Sequence, residues 1–172
     1  MSETRRKSNT DLETRLAALE SSKNLITVIK DVKANNTEGG TFTNGAWQTR
    51  DLNTQEGDTS FASVGSNQIT LQPGTYIIEG AVPAFSVDRH KAKLYNITDS
   101  LDTVIGTSED CAASSLVANS SFIKGEFTIT SAKTFELQHR GGVTKATNGF
   151  GVASNFSVDE VYSILKITKI GS

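Results

Sequence analysis

The chain has 172 residues, 36% of them hydrophobic and 21% charged, with 17 basic against 19 acidic side chains for a formal net charge of −2. That length accommodates one domain plus an appendage, and the near-neutral balance gives no whole-chain drive toward nucleic acid or an anionic membrane. No apolar run reaches membrane-spanning length, the polar start lacks a signal-peptide core, and a single cysteine, Cys111, excludes an internal disulfide framework.

Residues 1–9 are polar and carry Arg5, Arg6 and Lys7, which read as a flexible basic arm. Thr10-Asp11-Leu12-Glu13 fits a capping box, the Thr10 hydroxyl accepting from the Glu13 amide and the Glu13 side chain reaching back. Leu12, Leu16 and Leu19 follow at the four-then-three spacing of a coiled-coil seam, with Asp11 and Arg15 paired at i,i+4. Such a helix is roughly 18 Å long, too short to hold alone in water. One leucine stripe on so short a rod asks for copies of itself. The spacing therefore predicts a coiled-coil stalk over 10–23 and a small symmetric oligomer.

From Leu25 the periodicity changes to that of strands. Ile26–Val32 is a β-branched run closed by the turn-rich 34–40. Residues 41–52 hold the only tryptophan, Trp47, and 51–65 read as loop. Strands are expected at 69–71, then after Gln72-Pro73-Gly74 at 75–85, and at 91–97, 103–107, 115–117, 121–130 and 134–138. Phe127 and Ile129 alternate with polar neighbours, as do Phe135 and Leu137, so one face is core and the other is wet. In the last run, Val161–Ile167, both faces are apolar. Val161, Leu165 and Ile167 are assigned to the core, and Tyr162 and Ile164 to an opposite face buried at a subunit contact. About ten short strands over 24–172, with no second helix, describe an all-β antiparallel sandwich of jelly-roll type.

Leu71-Gln72-Pro73-Gly74-Thr75-Tyr76 resembles the strand start of globular heads in the tumour-necrosis-factor and complement superfamily, a module also used by phage virion proteins. Gly45–Asn53, Leu94–Thr98 with Ile105–Glu109, Ser121–His139 and Glu160–Leu165 are similar to the other parts of that pattern, in the same order. The resemblance implies a ten-stranded jelly roll packed as a threefold homotrimer, with Tyr162 and Ile164 near the axis of the head. A short coiled coil leading into such a head is the arrangement of phage fibres, knobs and capsid spikes. The collagen-like stem of complement proteins has no counterpart, because the chain holds no Gly-X-Y repeat.

Catalytic constellations are not apparent. His90 and His139 lie on separate expected strands without metal-ligand spacing, and no G-x-S-x-G elbow surrounds any serine. The neighbouring carboxylates Glu109-Asp110 and Asp159-Glu160 point to opposite faces of a strand, which opposes an acid/base dyad. Cys111 has no activating neighbour and reads as structural. No cofactor is implied; calcium is a secondary expectation, since some heads of this superfamily hold it and Asp88, Asp99, Asp102, Glu109 and Asp110 fall in or near loops, outside EF-hand spacing. Trp47, Tyr76 and Tyr95 read as core aromatics, with sugar stacking as the alternative if exposed.

The expectation is a non-enzymatic homotrimeric structural protein of a bacteriophage virion, made in the host cytoplasm and displayed on the particle surface. Arg5, Arg6 and Lys7 anchor it to a capsid or tail protein, and the head faces outward. Two roles remain open, a capsid decoration or head-fibre spike and the receptor-binding tip of a tail fibre; a carbohydrate-active enzyme is disfavoured. The head is expected to adhere to a host glycan or protein through residues that the sequence does not single out, with neither nucleic acid nor membrane insertion involved.

Overall fold

The computed structural model describes residues 3–21 and 23–171. Helix α1 (Glu3–Ser21) precedes eleven strands. Two sheets are stacked face to face. One runs in the order β3 (Thr54–Gly57), β1 (Leu25–Lys33), β11 (Glu160–Ile170), β6 (Gly74–Phe85), β9 (Ala118–Ile129). The other runs β4 (Ala62–Gly65), β5 (Gln68–Leu71), β10 (Lys133–Gly141), β7 (Asp88–Asn96), β8 (Leu101–Cys111), with β2 (Gln48–Thr49) added beside β10. All strand pairs are antiparallel. The result is an all-β jelly-roll sandwich with one short helix.

The core is built by period-two alternation. Ile29, Tyr76, Ile78, Ile123, Leu165 and Ile167 from the first sheet meet Ile69, Leu71, Leu94, Phe135 and Leu137 from the second, all at most 1% exposed. Burying side chains of this size contributes about 1.5–3 kcal/mol each before the entropy of ordering them is subtracted. A second cluster of Phe42, Ala84, Val87 and Cys111, with Phe150 against it, closes one end of the sandwich.

Several expectations are corrected. Among the described residues eleven strands are present, the two-residue β2 included, where about ten are expected. The region 51–65 contains β3 and β4, edge strands of four residues each, too short to show an apolar run, while 115–117 is the β8–β9 loop. The helix begins at Glu3, so Thr10 is interior, and its carbonyl accepts the Thr14 hydroxyl at 2.8 Å instead of the residue capping a first turn.

The largest correction concerns β11. Lys30 pairs with Ile164 and Val32 with Val161, so Asp31 alone stands opposite both Tyr162 and Ser163. This bulge inserts one residue and shifts the alternation. Tyr162 and Ser163 both turn inward, and Val161 joins Ile164 on the outer face. Tyr162 thus belongs to the protomer interior, where its hydroxyl donates to the Thr37 carbonyl at 2.7 Å and burial pushes its pKa up to about 12.

The strand registers define two ends. Leu25, Ile170 and the β5–β6 and β9–β10 turns lie at the end where the chain enters from the helix. The loops 34–47, 86–87, 112–117 and 142–159 lie at the opposite, distal end.

Candidate functional site

The outer face of the five-stranded sheet carries an exposed apolar band. Ile164 lies opposite Ala81, and Ala81 opposite Phe122, so one row crosses β11, β6 and β9. With Val161, Ile26 and Ile170 on the same face, the large members of this set are between 37% and 56% exposed. The next row is charged: Glu79 lies 3.5 Å from both Lys166 and Lys124. An apolar band beside a charged row, on a face that the protomer leaves to solvent, is the composition of a protein contact surface. Along α1, Leu12, Leu16 and Leu19 are 57%, 56% and 69% exposed.

The distal end is built around Arg50, which is fully buried. Its Nε donates to Ser163 Oγ at 3.0 Å, Nη1 to the Pro83 carbonyl at 3.1 Å and Nη2 to the Phe150 carbonyl at 3.0 Å. The guanidinium also lies 4.1 Å from the Phe150 ring centroid, and burial lowers its pKa to about 10. The β11 bulge supplies Ser163, so the irregularity that turned Tyr162 inward also provides a hydrogen-bond acceptor for the cation. Above this layer, Leu116, Phe156 and Val158 at the loop tips are 87%, 79% and 64% exposed.

On the outer face of the second sheet, near the distal end, is an open cleft of about 840 Å³. Arg89 and Lys91 from β7 and Arg140 from β10 line it, together with Trp47, Asn44 and Asn119. His90 forms part of its floor and is hydrogen-bonded to Asn119 and His139.

A crystal structure of murine APRIL at pH 5.0 superposes with a TM-score of 0.53 at 9% identity, covering 86% of this chain and 100% of that one. A second, at pH 8.0, gives a TM-score of 0.49 at 10% identity with the same coverage. The head has the tumour-necrosis-factor-like jelly-roll fold. The sequence itself matches no protein-family model and no curated protein.

Within this TNF-like head the residues singled out from sequence separate clearly. Ile164 lies on the exposed apolar face, and Tyr162 does not. Arg5, Arg6 and Lys7 fall within α1, not in a non-helical arm. His90 and His139, distant in sequence, are brought into contact. Cys111 is fully buried, with Sγ accepting from the Val87 amide at 3.5 Å and burial pushing its thiol pKa up, as suits a structural thiol. Of the five carboxylates expected in or near loops, only Asp99 lies outside a strand, and they are engaged separately: Asp99 binds Lys133 at 2.6 Å, Asp102 binds Lys93 at 2.5 Å, and Asp88 accepts the Ala113 amide at 2.6 Å. Among the described residues no three His, Cys, Asp or Glu side chains gather as a metal site. Tyr76 is core, whereas Trp47 and Tyr95 are half-buried and flank Lys93, whose Nζ lies 4.3 and 4.8 Å from their ring centroids. The cleft residues Arg89 and Arg140 went unrecognised because cross-strand register, which brings them together, leaves no local sequence signal.

Proposed function

We propose that this chain is the non-enzymatic subunit of a homotrimeric virion appendage, a capsid-bound spike or head fibre whose TNF-like head points outward. The observation that carries the reading is the exposed apolar set of Val161, Ile164 and Phe122 on the outer face of the five-stranded sheet. Copies packed about a threefold axis would bury that face and bring the leucines of α1 together as a short coiled coil. The N-terminal segment with Arg5, Arg6 and Lys7 then presents three clustered sets of positive charge to an acidic surface on a capsid or tail protein. Trivalent attachment compensates for the weakness of each exposed ion pair.

The receptor-binding tip of a tail fibre is the second reading, favoured by the exposed Leu116, Phe156 and Val158 at the end remote from the helix. Imaging particles with the head labelled at Asn155 tests both: label on the capsid supports the spike, label at the tail the tip. Absence from particles overturns the virion role.

A further inference from the structure

We propose that the cleft between Trp47 and the Lys91–Arg140 pair binds a carboxylated sugar ring. Antiparallel register sets Arg140 directly opposite Lys91 on the solvent face, while Arg89, two residues along the same strand, stands opposite Asp110 of β8. Like charges directly opposite one another destabilise a sheet. None of the three cations takes part in an ion pair among the described residues. Neighbouring charges on the same face are satisfied: Lys93 has Asp102 and two aromatic rings, and Glu136 accepts from Thr49 and Gln138, each at 2.9 Å. The local rule is thus kept along the strand, at Arg89 as at Lys93, and broken only at the Lys91–Arg140 pair, the pattern expected of a surface that receives an anion.

The remaining groups identify the anion's body. Trp47 offers an apolar ring in the cleft lining, suited to the C–H face of a pyranose. Asn119 is fixed by His90, whose Nε2 lies 2.5 Å from its Oδ1, and by its own donation to the Asp110 carbonyl at 2.8 Å. Asn44 is held from the facing loop by Thr144, whose hydroxyl donates to its Oδ1 at 3.1 Å. Asp110, on the same face as Arg89, would repel a compact inorganic anion but accepts hydrogen bonds from sugar hydroxyls. Two amides, an aromatic ring, a carboxylate acceptor and a pair of cations match a hexuronic or sialic acid better than a phosphate. A β8 bulge setting Gly106 and Thr107 against Ala92 adjoins the cleft, a common position for irregularity beside a site. The inference draws on the adhesive reading of the head only for the origin of the ligand; the site belongs to the single protomer.

Trp47 is the only tryptophan, so its fluorescence reports on the cleft directly. The full chain is titrated with glucuronic acid, N-acetylneuraminic acid, a hexuronate oligosaccharide, methyl glucoside and sodium sulfate, with calorimetry in parallel. A carboxylated sugar should bind saturably in the ~mM range or tighter, and Lys91→Gln or Arg140→Gln should weaken it at least about tenfold with the melting temperature held or raised. Tighter binding of the oligosaccharide would assign the source as a surface polysaccharide, and equal binding a free sugar acid. No saturable binding by either method, equal binding of methyl glucoside or sulfate, or variants that bind like the parent would overturn the site. Failure to find the protein on particles would overturn the virion reading and leave this result standing.

Discussion

His90 Nδ1 and His139 Nε2 lie 2.9 Å apart in the interior of the distal end, and a single chain of donors orients both rings. Asn119 Nδ2 donates to the Asp110 carbonyl, so its Oδ1 must accept from His90 Nε2–H. His90 Nδ1 is then an acceptor, and His139 Nε2–H donates to it. This leaves His139 Nδ1 as a lone pair with no hydrogen-bond partner in a fully buried site.

The first prediction is a loss of stability on acidification. Burial holds the pKa of both imidazoles below the ordinary 6.5, with Arg50 pushing in the same direction; for His139 the depression is large. The unfolded chain therefore takes up protons first. Stability from the neutral pair is complete above about pH 6.5 and falls as pH drops below it. Urea midpoints measured from pH 8 to pH 5 should decline below about 6.5, and His139→Gln should flatten that decline while lowering the midpoint at pH 8. A parent midpoint that stays level to pH 5 would contradict the assignment.

A second prediction concerns Arg50. Replacing it with Lys keeps the charge but cannot satisfy Ser163, Pro83 and Phe150 together. The expected cost is about 2–5 kcal/mol in chemical denaturation, since a buried cation and buried acceptors lose their partners. A change below about 0.5 kcal/mol would mean that the guanidinium does not organise this end.

The third prediction concerns the 142–159 loop. Glu160 accepts the amides of Asn36, Ser154 and Asn155 at 3.2, 3.0 and 2.9 Å, and these backbone bonds hold its pKa down to about 2. Its contribution is complete above the ordinary 4.5 and is lost as pH falls through about 2. Glu160→Gln should speed amide exchange at Ser154 and Asn155 at neutral pH, while β6 amides keep their protection. Unchanged exchange at both loop positions would show that the loop is held by other contacts.

The sequence made β1, β6, β10 and β11 legible as strands because their apolar residues alternate over long runs. It concealed β3, a polar edge ordered by pairing with β1, and β4, whose two apolar residues, Ala62 and Val64, are too few to show a strand period. The bulge opposite Asp31 was illegible for a different reason. An inserted residue leaves the string Val161-Tyr162-Ser163-Ile164 unchanged, yet it reverses which of the first two side chains faces the core. The His90–His139 contact and the Lys91–Arg140 juxtaposition depend on register between β7 and β10, which single-strand patterns do not encode. Ile164 faces outward, and from that residue onward the apolar pattern and the strand period agree.

Attachment yields the fourth prediction. Deleting residues 1–9 should leave the head folded and self-associated, since β1 starts at Leu25. It should abolish joining to particles, because the clustered Arg5, Arg6 and Lys7 are removed. Truncated protein that decorates particles as well as the full chain does would move the anchor to the head and reverse the proposed polarity.

The central claim is that the exposed face holding Val161, Ile164 and Phe122 is covered by copies of the same chain. Light scattering of the full chain measures this most directly. The account predicts a species of three times the 18.4 kDa protomer, reduced toward the protomer mass by Ile164→Asp because three carboxylates would be buried close together. A parent protein that remains at the protomer mass across micromolar concentrations would contradict it.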